Sequence, residues 1–288
     1  MPQRPVRAYA GGVSDQLRVR VHQWASGLDP ADNRARLARG VTPGADLVVF
    51  PEAFARDFGE AGSDVSAYAE PLDGPFAHEL GHVADAAACT VVAGMFETAD
   101  DPARPFNTLV VGGASRAAYR KIHLYDSFGY RESDRLTGGS PEPVVVEVAG
   151  WRVGLMTCYD LRFPELARRL VDAGAEVILV PAAWLPGRRK VEHWRTLLAA
   201  RAIENTCFVV GAGQPEPRYT GHSAVLGPLG DVLAAAGGGE ETLEVVLDRN
   251  VQFNPAPYVP GATFQGAGVL VPAPGGADSR RTVLPASP

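Results

Sequence analysis

Short apolar runs with strand periodicity recur along most of the chain and are interleaved with only a few helical stretches, and this alternation most restricts the fold. LRVRVHQW, residues 17–24, alternates apolar and polar side chains as a half-buried strand does. DLVVF, residues 46–50, is a compact apolar run that stops at Pro51 and leaves Glu52 at the mouth of a buried strand. TVVAGMFE (90–97), NTLVVGG (107–113) and AAYRKIHLY (117–125) read as successive strands, the last carrying Lys121 in its interior. PVVVEVAGWRVGLMT (143–157) reads as a hairpin turning at Gly150. EVILVPAA (176–183), TCFVVGAG (206–213), the pair HSAVLG and DVLAAA around a turn at Pro228 to Gly230, and TLEVVLD complete the strand set. Helices are predicted over 29–40, with Gly40 just past the end, over 73–89, over 162–174, with Gly174 as the stop, and over 190–205. Strand runs mixed with helices and hairpins predict an α/β fold with mixed rather than purely parallel sheets.

At 288 residues and 46% hydrophobic, the chain supports one large core. A single domain is expected over 17–253, preceded by a flexible segment over 1–16 and followed by an irregular Pro-, Gly- and Ala-rich tail over 254–288. The formal net charge of -6, without a Lys or Arg run, offers no footprint for nucleic acid, so a small-molecule substrate is expected. No apolar stretch reaches the roughly 18 residues of a membrane span, and the first residues lack a signal-peptide core, which points to the cytoplasm. Three cysteines argue for free thiols rather than a disulfide framework.

Cys89 and Cys207 sit at strand starts, where a thiol behaves as a small hydrophobe. Cys158 differs: a strand ends and a helix begins around it, a tight junction that can present the thiol to a cleft. A thiol with an ordinary pKa near 8.5 is mostly protonated at neutral pH and needs a base or a nearby cation. None of the six histidines stands in a thiol-protease signature; a carboxylate can serve as the base instead, and Glu52 is the best-placed one. Taken alone, a strand-end glutamate is ordinarily a solvated turn residue, and a strand lysine such as Lys121 ordinarily snorkels from an edge. If Lys121 instead faces the nucleophile, it can stabilise a developing oxyanion.

In combination these segments resemble the nitrilase superfamily of carbon-nitrogen hydrolases, over roughly 17–248. DLVVFPE matches the stretch carrying the family's catalytic glutamate, at Glu52; YRKIHLYD its lysine, at Lys121; GLMTCYDLRFPEL its nucleophile, at Cys158. The family's second glutamate, which positions the lysine and the reacting water, falls on Glu132 in FGYRESDRLTGG. FNTLVV, GAEVILVPAAW, EHWRTLLAARAIEN and GHSAVLGPLGDVLA add to the match. The resemblance implies a four-layer αββα sandwich, usually paired as a homodimer through a helical face. It also implies that Glu52 deprotonates Cys158, that the thiolate attacks an amide or nitrile carbon, and that Lys121 with the backbone N–H of Tyr159 holds the oxyanion. A thioester follows, and no metal or organic cofactor is required. CYDLRFPEL resembles the amidases of deaminated glutathione and of ω-amides of keto acids, whereas nitrilases usually carry Trp-Glu after the cysteine. N-carbamoyl amino acid hydrolysis stays open within the same chemistry. Phe128, Arg162 and Trp184 are expected to line the substrate, with Arg162 able to meet a carboxylate. The Pro-rich RNVQFNPAPYVPGATF departs from the family pattern near the C-terminus.

Two other classes compete. HELGH, His78 to His82, matches the zinc-protease pattern, with Glu79 as its base, but no third ligand follows. A non-catalytic binding relative predicts loss of Glu52, Lys121, Glu132 or Cys158, and all four are present. Dinucleotide, P-loop and nucleophile-elbow serine patterns are absent.

Overall fold

The computed structural model describes residues 14–250 apart from Ala61 and Phe128, and the backbone of two short strands farther on. In chain order the elements are β1 (Gln16–Gln23), α1 (Pro30–Gly40), β2 (Leu47–Val49), α2 (Pro75–Ala87), β3 (Thr90–Glu97), β4 (Phe106–Gly112), β5 (Ala117–Arg120), β6 (Asp126–Ser127) and β7 (Tyr130–Arg131). The second half supplies β8 (Val144–Val148), β9 (Trp151–Leu155), α3 (Pro164–Asp172), β10 (Val177–Ala182), α4 (Lys190–Asn205), β11 (Phe208–Gly213), β12 (Ala224–Leu226), β13 (Val232–Ala235) and β14 (Glu241–Asp248). The expected N-terminal segment falls outside the described residues up to position 13. The expected tail lies outside them as well, save for Thr263–Phe264 paired antiparallel with Leu270–Val271 in a unit of its own.

Two six-stranded sheets form, in the orders β14-β1-β2-β3-β4-β5 and β13-β12-β11-β10-β9-β8. In the first, β1, β2 and β3 are parallel and the flanking strands antiparallel. The second repeats the plan with β9, β10 and β11 as its parallel centre. Alternation assigns the faces: Leu17, Val19, Val21, Leu47, Val49 and Val92 enter the core shared with the second sheet. Their neighbours Val48, Phe50, Val91 and Ala93 pack instead with Leu37 of α1 and Phe76, Leu80 and Ala84 of α2. Because β2 and β3 are covered on both faces, they read as continuous apolar runs rather than alternating ones. On the far side α3 packs on β9, and α4 on β11 and β12, completing the four-layer αββα sandwich. No helix among the described residues is long and apolar enough to cross a membrane.

The boundary expected at Gly40 needs correction. Gly40 is the last helical residue of α1 rather than a residue past its end, and Val41 caps the helix in an extended conformation. The glycine is required by close approach: a Cβ there would fall 2.8 Å from Phe50 Cζ and 3.1 Å from His22 Nε2. His22 Nε2 in turn faces the Gly40 carbonyl at 2.9 Å, and a carbonyl only accepts, so the ring proton sits on Nε2. Burial pushes the His22 pKa down to about 4 from 6.5, against the opposing pull of the Gly40 carbonyl. A group with a depressed basic pKa binds fewer protons folded than unfolded, so its stability contribution is lost as pH falls from about 6.5 to about 4. The expected loss is about 3 kcal/mol over that interval, since each tenfold change in proton affinity is worth roughly 1.4 kcal/mol. Urea denaturation at pH 7 and pH 4 should show His22→Gln losing that much less than the parent; equal pH dependence would contradict the assignment.

Candidate active site

Glu52 follows β2 at the C-terminal ends of three parallel strands, where open α/β sheets gather their sites. The chain turns sharply there: Ala53 has φ 54°, a left-handed conformation that costs a non-glycine residue roughly 1 kcal/mol. The turn lies directly over β3, and a Cβ on Gly94 would stand 2.3 Å from Ala53 N and 2.8 Å from Glu52 Cα, so only glycine fits. Glu52 is 1% exposed. Its Oε1 accepts from Asn107 Nδ2 at 2.7 Å and Lys121 Nζ at 3.0 Å, and its Oε2 from the backbone N–H of Ala183 at 2.6 Å. Gln214 Nε2 donates to the Glu52 carbonyl at 2.9 Å.

Lys121 corrects a second expectation. It does not lie inside a strand, because β5 stops at Arg120. Beyond that point β4 changes partner: Phe106 bridges to Thr137 instead of continuing along the lysine segment. Its backbone N–H still donates to the Asn107 carbonyl of β4 at 2.8 Å, while the side chain reaches inward, 2% exposed, and donates to both Glu132 oxygens at 3.1 and 2.9 Å as well as to Glu52. Glu132, 3% exposed, also accepts from the Tyr125 N–H at 2.6 Å.

Cys158 opens a 3₁₀ turn, Cys158–Arg162, three residues after the last residue of β9, and has φ 48°. Asp160, fully buried, holds this turn: its Oδ2 accepts from Thr157 N at 2.9 Å and from the Tyr119 hydroxyl at 2.6 Å. Its Oδ1 accepts from the backbone N of His123 at 2.9 Å and from the ring Nδ1 at 2.7 Å. Tyr119 and His123 flank Lys121, so one carboxylate ties the Cys158 turn to the lysine's segment.

Charge decides what the cluster can do. Burial alone would lower the Lys121 pKa, but the Glu132 and Glu52 carboxylates outweigh it and hold the ammonium well above its ordinary value. Glu132 is pushed up by burial, with Lys121 opposing. Burial pushes the Cys158 thiol well above its usual range; the Glu52 charge and hydrogen bond add to the rise, and Lys121 opposes it. Two carboxylates, one ammonium and a neutral thiol sum to a single negative charge. Losing the thiol proton to solvent would deepen the net buried charge by a further negative unit, whereas passing it to Glu52 leaves the total unchanged. The thiolate is therefore most cheaply formed by transfer inside the cluster.

A cavity of about 230 Å³ opens on these groups, lined by Glu52, Lys121, Glu132, Cys158, Tyr159 and Trp184, with Arg162 and Lys190 on the same wall. The Arg162 guanidinium lies 4.9 Å from the Trp184 ring centre, and its buried Nε has no partner among the described residues. Glu52, Lys121, Glu132, Cys158, Tyr159, Arg162 and Trp184 thus line one cavity; Phe128 lies outside the described residues. His78 and His82 occupy the solvent face of α2 with Glu79 beside them, because Phe76, Leu80 and Ala84 turn the other face to the sheet. Among the described residues no three metal-ligating side chains cluster. Sequence reasoning alone misses Asn107, Asp160 and Gln214. The available signal is a lone Asn opening the apolar run FNTLVV and an Asp two residues after the cysteine.

Residues 18–253 match the carbon-nitrogen hydrolase family. The deaminated glutathione amidase of Escherichia coli O157:H7 is 41% identical over 203 residues, covering 69% of this chain and 77% of that protein. A CN-hydrolase superfamily protein from Xanthomonas campestris, with an arsenic adduct in its active site, superposes with a TM-score of 0.73 at 30% identity, covering 81% of this chain and 91% of that one. Nit3 of Saccharomyces cerevisiae, from branch 10 of the nitrilase superfamily, superposes with a TM-score of 0.72 at 25% identity, covering 84% and 93%. The chain belongs to the carbon-nitrogen hydrolase family, within the nitrilase superfamily, and is a hydrolase of carbon-nitrogen bonds other than peptide bonds.

Proposed function

We propose that the protein is an amidase acting on a small, carboxylate-bearing amide through a thioester on Cys158. The observation that carries this reading is the Lys121 ammonium held 3.0 Å from Glu52 and 2.9 Å from Glu132 on a cavity wall shared with the Cys158 thiol. Glu52 takes the thiol proton, and the sulfur attacks the amide carbon as the carbonyl electron pair moves onto oxygen. Lys121 and the N–H of Tyr159 receive that oxyanion. On collapse the C–N bond breaks, and Glu52 returns the proton to the leaving nitrogen, releasing ammonia or an amine. Water, deprotonated by Glu52 and oriented by Glu132, then cleaves the thioester.

Arg162, with its unpartnered buried Nε, supports a substrate carboxylate, and Lys190 adds positive charge to the same wall. The name of the Escherichia coli relative supports the same class. Three free, buried cysteines fit a reducing compartment, and the cytoplasm is the proposed location. Pairing as a homodimer is supported by exposed apolar side chains at one end of α4, where Ile203, 56% exposed, adjoins Gly230 between Leu229 and Val232.

The test is a screen for ammonia or amine release over deaminated glutathione, α-ketoglutaramate, simple amides, nitriles and N-carbamoyl amino acids. Turnover of the carboxylate-bearing amides is expected. Arg162→Gln should raise KM for them roughly tenfold or more, the worth of one charge-assisted hydrogen bond, while leaving neutral amides little changed. Turnover of nitriles alone would overturn the amidase reading, and sedimentation as a monomer would overturn the dimer.

A further inference from the structure

Nothing so far assigns a role to Asn107, the second residue of β4, although it contacts both glutamates of the site and the backbone of Lys121. Its backbone carbonyl accepts from the Lys121 N–H at 2.8 Å, fixing where the lysine leaves the strand. Its side-chain Nδ2 donates to Glu52 Oε1 at 2.7 Å and reaches Glu132 Oε1 at 3.4 Å. The orientation of the amide is not arbitrary. Ionised carboxylates only accept, so the edge facing two of them must be the NH₂, and its two hydrogens serve one glutamate each. The opposite edge contributes nothing to this choice, because Asn107 Oδ1 is buried without a partner among the described residues.

A carboxylate oxygen offers two lone-pair sites. On Glu52 Oε1 both are taken, one by Asn107 and one by Lys121, whereas on Oε2, among the described residues, the Ala183 N–H takes one site and the other is left for a donor such as the Cys158 thiol. We propose that Asn107 is a positioning residue for the base: by pinning Oε1 of Glu52 while bridging to Glu132, it leaves Oε2 as the oxygen that receives the Cys158 proton. This inference rests on the amidase reading above for its reaction, but not for its test.

The groups that titrate or carry charge around Asn107 are Glu52, Lys121, Glu132 and Cys158, with the Tyr130 phenol and Arg135 guanidinium acting on the Glu132 side. Deleting a donor to ionised carboxylates favours their protonated forms, so the cluster as a whole takes up a proton at higher pH. Asn107→Ala and Asn107→Ser, neither long enough to bridge the glutamates, are each compared with the parent in two ways. The first is kcat/KM against pH on an amide the parent hydrolyses. The second is the pH dependence of Cys158 alkylation by iodoacetamide, read on the Cys158 peptide by mass spectrometry, which requires no turnover. The acidic limb of both profiles is expected to move up by about one pH unit in both variants. An unmoved limb with a lowered plateau would mean that Asn107 only supports the fold, and failure of both variants to fold would mean the same; either overturns the proposal. A parent that alkylates at Cys158 but hydrolyses no amide would defeat the proposed function instead, with the alkylation profiles still deciding the role of Asn107.

Discussion

Cys158→Ala is expected to lower amide hydrolysis by about 10⁴-fold or more, the loss seen when a covalent nucleophile is removed from a site whose other groups act only through it. Stability should change by no more than about 1 kcal/mol, because one small side chain is deleted and the hydrogen bonds holding the turn belong to Asp160 and Thr157 rather than to the sulfur. The contrast with the other thiols sharpens the result. Cys207 is buried just after α4 with its pKa pushed up to about 12 by burial, and Cys89 packs behind α2, with no carboxylate or imidazole hydrogen-bonded to either among the described residues. Cys89→Ala and Cys207→Ala should keep near-parental kcat/KM, and loss of activity in either with Cys158 intact would misplace the nucleophile.

Lys121→Met should harm both activity and stability. Removing the proposed oxyanion donor is expected to cost on the order of 10²- to 10³-fold in kcat. The structural effect is larger than for an ordinary surface lysine, because Glu52 at 1% and Glu132 at 3% exposure lose the cation that contacts both. Leaving buried charges uncompensated costs about 3–5 kcal/mol, which corresponds to roughly 10 °C in Tm for a domain of this size. Adding Glu132→Gln to Lys121→Met should recover much of that stability by removing one of the stranded charges, and none of the activity. Thermal denaturation of the parent and both variants beside a turnover assay reads out both halves. A single mutant as stable as the parent would show that the ion pairs are looser than described.

Much of this architecture is legible in the sequence. The apolar runs 46–50 and 90–97 announce buried strands, and DLVVFPE places Glu52 at a strand mouth, where it is found. What sequence alone does not carry is the meeting of distant segments. Lys121 and Glu52 are 69 positions apart, and Glu52 and Ala183 131 apart, and no local pattern encodes those contacts. The departures from expectation are local and have physical sources. Gly40 resembles a helix terminator because glycine serves both turns and close packing, and here packing against Phe50 and His22 decides. Lys121 resembles a strand residue because it directly follows β5 and its N–H still bonds β4 at Asn107, yet one position farther along β4, at Phe106, Thr137 takes over the edge. Asn107 and Asp160 escape a sequence reading because a single buried polar residue has meaning only through partners that the fold supplies.

The central claim, a covalent acyl group on one particular sulfur, is tested most directly by acid-quenching the enzyme during turnover of a hydrolysable amide and mapping the mass of each cysteine peptide. An acyl adduct should be found on the peptide containing Cys158, be much reduced in Glu52→Gln, which lacks the group proposed to take the thiol proton, and be absent in Cys158→Ala. Sustained amide hydrolysis by Cys158→Ala, or an adduct carried by Cys89 or Cys207 instead, would contradict it.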